Sequence, residues 1–82
     1  MVLESETLGV KQAAVFYELL KNELEENEEV IIDFSVVERI DVSIIQILVA
    51  AGREARKREK ILKLKAVSDS IKEQMNLCGL RT

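Results

Sequence analysis

Apolar runs alternating with helix-period segments predict an α/β domain, with a mixed, mostly parallel β-sheet and helices packed mainly on one face. Three observations carry this. Val30-Ile31-Ile32-Asp33-Phe34 is rich in β-branched residues and bounded by polar turns. Ile61-Leu62-Lys63-Leu64-Lys65-Ala66 alternates apolar and basic side chains. Around these runs lie three segments with helical spacing. The predicted order is β-α-β-α-β-α, with right-handed crossovers. The chain of 82 residues fits a single domain over residues 1–82, and 48% hydrophobic content suffices for a core without metal or disulfide.

The elements follow in order. Val2-Leu3 opens a short first strand. Thr7-Leu8-Gly9 reads as a turn and helix entry. Residues 10–24 form an amphipathic helix, with Ala13, Tyr17, Leu20 and Leu24 on its inner stripe and Phe16 beside it. Glu25-Glu26-Asn27-Glu28 closes that helix, with carboxylates at the end its dipole disfavours. In the strand at residues 30–34, Val30, Ile32 and Phe34 share one face, and Ile31 and Asp33 the other. Residues 35–40 connect it to the second helix. Asp41 suits the N-cap of that helix, which runs over residues 42–57. Its core stripe is Ile44, Leu48, Ala51 and Ala55, with Ile45 and Val49 to one side and Ile47 to the other. In the last strand Leu62, Leu64 and Ala66 face inward, and Lys63 and Lys65 face water near Asp33. Ser68 caps the third helix, with Asp69 in its first turn and Ile71, Met75 and Cys78 inward. Gly79 suits the left-handed position after it, with Leu80 folding back as the apolar contact.

Composition narrows the chemistry. Histidine is absent and Cys78 is the single cysteine. The commonest general base and zinc ligand are missing, and no internal disulfide can form. No metal site, triad or cofactor is expected. A net charge of -3 argues against nucleic acid as a partner. No apolar run is long enough to cross a bilayer, and the N-terminus lacks the pattern of a signal peptide, so the expected location is cytoplasmic. Charge is uneven: acids dominate from Glu18 to Asp33, and bases from Arg53 to Lys65. Two solvated faces that attract each other, or a basic binding site, would each produce this.

The stretch Asp33-Phe34-Ser35-Val36-Val37-Glu38-Arg39-Ile40-Asp41-Val42-Ser43 concentrates the functional signal. A strand there feeds a helix through a short turn, leaving unsatisfied N–H groups at the helix start. From Val30 to Ser43 the sequence resembles the central signature of STAS domains, the fold of anti-sigma factor antagonists and sulfate-transporter tails. That signature is an apolar strand ending Asp-Leu-Ser, a short turn, an apolar residue, Asp, Ser or Thr, a small residue and Gly. The resemblance continues through Ala51-Gly52-Arg53-Glu54-Ala55-Arg56-Lys57-Arg58 and Leu62-Lys63-Leu64. It closes on Met75-Asn76-Leu77-Cys78-Gly79-Leu80, like the family's terminal Leu-x-x-x-Gly-Leu. The first helix matches in pattern only.

The departures matter as much as the matches. In phosphorylated relatives the hydroxyl directly after the Asp accepts phosphate from a partner kinase, and the unphosphorylated form binds it. Here that position is Val42, which cannot be phosphorylated; Ser43 follows, and Ile44 stands where Gly is usual. The switch is therefore absent or has moved to Ser43. The resemblance implies a small STAS-like, non-enzymatic interaction module of anti-sigma factor antagonist type, from a bacterial-style signalling system. Its partner-binding residues would be Asp41, Ser43, Ile45, Gln46, Val49 and Arg53. The partner would be a switch kinase of the histidine-kinase ATPase type, or another regulatory protein. The alternative is an accessory STAS subunit bound to an ABC transporter ATPase. Two further readings are weaker. A small-molecule site lacks a Gly-rich phosphate loop, and Asp33 with Asp41 is a conceivable acid/base pair.

Overall fold

The computed structural model describes residues 1–79. Strand β1 spans Thr7–Leu8, and a 3₁₀ turn at Val10–Gln12 leads into α1, Ala13–Glu26. Strands β2 (Glu29–Asp33) and β3 (Arg39–Ile40) precede α2, Val42–Lys57. Strand β4 (Ile61–Lys65) and helix α3 (Asp69–Leu77) follow. The α/β class and the strand–helix alternation are those expected. The single expected sheet is instead two small parallel pairs, β1 with β3 and β2 with β4. Val2 adds one parallel bridge to Asp33 on the free edge of β2. The strand expected at Val2-Leu3 is reduced to that bridge, and the first two-residue strand lies at Thr7–Leu8, where the sequence predicts a turn. Strands this short show no period in sequence.

The β2–β4 pair is the centre. Val30 registers with Leu62, Ile32 with Leu64 and Asp33 with Lys65. Val30, Ile32 and Phe34 are buried, whereas Ile31 is 41% exposed. The period of two thus splits β2 into a core face and an outer face. Leu62 and Leu64 are half-buried against the core. Ala66 does not continue inward. Its φ of 57 turns the chain out towards α3, and it is exposed.

In α1 the spacing of four buries Phe16, Leu20 and Leu24. Tyr17 lies at the margin of that stripe and is 49% exposed, so Phe16, not Tyr17, is the core aromatic. Asn27 ends the helix: its Nδ2 donates to the Glu23 carbonyl at 3.0 Å. The Lys60 ammonium donates to the carbonyls of Leu24 and Glu25. A cation there offsets the unfavourable carboxylates on the last turn.

Helix α2 has the predicted bounds and cap. Ile44, Leu48, Ala51 and Ala55 are buried as the stripe requires, and Ile45 is buried with them. In α3, Ser68 Oγ accepts from the Ile71 N–H at 3.3 Å, and Ile71 and Met75 point inward. Cys78 is exposed, not buried. It occupies the C-cap, where the backbone has left the helical path, so the spacing of Ile71 and Met75 no longer aims it inward. Gly79 takes φ 88, as its position demands. Leu80 lies outside the described residues.

Candidate docking site at the start of the second helix

The site is built from two parallel connections. Leu8 registers with Ile40, and the Asp41 N–H donates to the Leu8 carbonyl at 2.8 Å. Glu38 and Arg39 both donate their N–H groups to the Glu6 carbonyl, at 2.7 and 3.0 Å. The segment entering α2 is thereby fixed to the segment entering α1. Gln74 Nε2 donates to the Ile40 carbonyl at 2.8 Å, which ties α3 to the same end.

Asp41 then caps α2. Its backbone is extended (φ -82, ψ 154), and its Oδ2 accepts from the Ser43 N–H at 2.8 Å. The nearby Ser43 hydroxyl and this N–H together hold the Asp41 carboxyl below its ordinary value. Asp33 is lowered too, by the Ser35 N–H that donates to its Oδ1 at 2.8 Å, then by the Ser35 hydroxyl, with weaker help from Lys65 and the N-terminal ammonium. An acid/base pair needs environments that push two carboxyls apart. Here both move down.

The residues singled out by sequence divide into three groups. Asp41, Gln46 and Arg53 are exposed, and Val42 is 46% exposed at the first helical position. Val42, Gln46, Val49 and Arg53 recur at intervals of four, three and four, so they share one outward stripe. Val49 is the half-buried member of that stripe and packs on the core.

Ile45 is corrected. It is 0% exposed, so it is a core residue and offers no contact to a visitor. The first half of α2 is apolar over a wide arc, and the fold encloses both Ile44 and Ile45.

Ser43 stands apart. Its Oγ is buried and makes no well-formed hydrogen bond, lying only near the Asp41 carboxylate that it helps to lower, so phosphate reaches it only if the helix start opens. The hydroxyl is inside, and the exposed neighbouring position is an alkyl group.

One exposed apolar residue at this end has no counterpart in the sequence reading. Val10 opens the 3₁₀ turn beside α2 and is 66% exposed. The β1–β3 register that places it there leaves no periodic signal in sequence. Elsewhere, a groove of about 270 Å³ runs between α1 and α2. Leu20, Leu24 and Ile47 line it with Lys21, Glu54 and Arg58, and the last two form an ion pair of 2.9 Å. Among the described residues no cluster of potential metal ligands occurs, and no helix is long and apolar enough to cross a membrane.

A strand–turn–helix junction with a charged cap thus lies exposed at one end of a small α/β domain. The family model described as "Mlab, STAS domain" matches residues 5–82, and the chain belongs to the STAS domain family. No curated protein matches it. STAS domains are in general non-enzymatic interaction modules.

Proposed function

We propose that this domain is a non-enzymatic protein-interaction module of anti-sigma factor antagonist type, binding a regulatory partner through the start of α2. The observation that carries the reading is Val42. It is exposed beside the ionised cap Asp41, at the position where phosphorylated relatives carry a hydroxyl. A phosphate there adds nearly two negative charges to a docking surface. Valine removes that option while keeping a small apolar contact, so the surface stays competent to bind. The buried Ser43 hydroxyl supports the same conclusion, because it gives a kinase no substitute acceptor.

The test uses a purified switch kinase of the histidine-kinase ATPase type from the same genome. Incubated with this kinase and ATP, the wild-type domain keeps its intact mass and remains bound, whereas Val42→Ser gains one phosphate and is released. A phosphate on the wild-type chain that is lost in Ser43→Ala overturns the dead-switch reading. Binding to a transporter ATPase in place of the kinase, at the same helix start, establishes the accessory-subunit alternative.

A further inference from the structure

We infer that the docking surface has two helix starts, with Val10 as a second anchor beside Val42, and that it fits a protein surface pairing an apolar patch with one cation. This rests on the docking reading above and extends it to a part of the chain 32 positions earlier in sequence. The parallel β1–β3 pair ends at Leu8 and Ile40. One residue further each chain reaches a cap, Gly9 on one side and Asp41 on the other. One residue further again each reaches a first helical position, and both positions are valine. Two strand ends in register therefore deliver two exposed β-branched side chains at the same end of the fold.

Neither valine serves the core. Both are exposed, and neither belongs to the buried cluster or to the half-buried residues packed against it. A first helical position favours proline or an acid, so valine gives the helices no local advantage there. Adjacent exposed apolar residues rimmed by polar groups mark interaction surfaces more often than isolated ones. Asp41 supplies the charge. It is exposed and ionised, and among the described residues it has no salt-bridge partner. Oδ2 is committed to the Ser43 N–H, which leaves Oδ1 for an outside donor. An Arg or Lys at the edge of an apolar patch on the partner is the complement.

The experiment measures binding to the same purified kinase by calorimetry, with circular dichroism and melting as folding controls. Asp at a first helical position is compatible with the helix, so Val10→Asp and Val42→Asp should fold normally. Each is expected to weaken binding by about tenfold or more, as burial of an acid against an apolar anchor requires. Val15→Asp, at a similarly exposed valine on α1, should bind as wild type. Asp41→Asn keeps the cap and should weaken binding and reduce its dependence on salt. If Val42→Asp loses binding while Val10→Asp keeps it, the second anchor is wrong and the single-helix reading stands. If wild type binds and neither variant weakens it, or if wild type does not bind, the docking reading fails and this inference falls with it.

Discussion

Asp41 and Asp33 each fix a chain reversal, one at the helix start and one at the end of β2, and both do so as anions. Their carboxyls are lowered from the ordinary value of 3.8 by hydrogen bonds from Ser43 and Ser35. A group lowered in the folded state adds stability that is fully present above its unfolded pKa. That stability is lost as pH falls through the folded value. The melting temperature should therefore be flat above about pH 5 and fall at lower pH. In Asp33→Asn/Asp41→Asn the fall should flatten, as thermal melts across a pH series would show. Ile45 gives a second residue-scale prediction. Because it is wholly enclosed, Ile45→Ala should cost about 2–5 kcal/mol in chemical denaturation. Cys78→Ser, at an exposed C-cap, should stay within about 0.5 kcal/mol. A small effect at Ile45 would return it to the surface. Sequence placed the Asp41 cap correctly because capping is local chemistry. It misplaced Ile45 and Cys78 because the width of a buried arc depends on what surrounds the helix, and spacing within the helix does not contain that.

At the scale of elements, α2 was legible to its last residue and the short strands were not. A run of 16 residues with a cap and a repeating stripe carries its own boundaries. Strands of two residues, such as β1 and β3, are defined only by each other across a long gap in sequence. The end of α2 contains a feature that composition hides. The Lys60 N–H donates to the Ala55 carbonyl at 2.7 Å and the Glu59 N–H to the Arg56 carbonyl at 3.2 Å. This is a complete Schellman closure, with Glu59 at φ 58 in the place that glycine usually takes. Helix α3 ends with Gly79 in that role. A left-handed non-glycine residue costs roughly 1–2 kcal/mol, and glycine gives part of that back through unfolded-state entropy. Glu59→Gly should therefore raise stability by about 0.5–1 kcal/mol in urea titration. A destabilising result would mean that the Glu59 side chain makes contacts that outweigh its backbone strain.

For the whole molecule, the decisive asymmetry is between the two faces of the β2–β4 pair. Parallel sheets are normally covered on both sides. Here the buried residues of α1, α2 and α3 join Val30 and Ile32 in one core, while the opposite face stays open. Val2, Ile31 and Ile61 are exposed there, the last 48% so. Charge keeps this face wet: Lys63 pairs with Glu29 at 3.6 Å, and Lys65 registers with Asp33. This is the local form of the acidic and basic runs read from sequence, two strands of opposite sign side by side. The alternation of apolar residues with Lys63 and Lys65 in β4 made the open face legible, because a strand covered on both sides cannot alternate with charge. The consequence is a contrast between neighbours in one strand. Ile32→Thr puts a hydroxyl into a closed core and should cost about 2–4 kcal/mol. Ile31→Thr, one residue away with comparable β propensity, should stay within about 0.5 kcal/mol. Urea titrations of the two variants at two protein concentrations decide it. An Ile31 cost that grows with concentration would show that a second copy covers this face in solution, and the one-sided core would then describe only half of the folded unit.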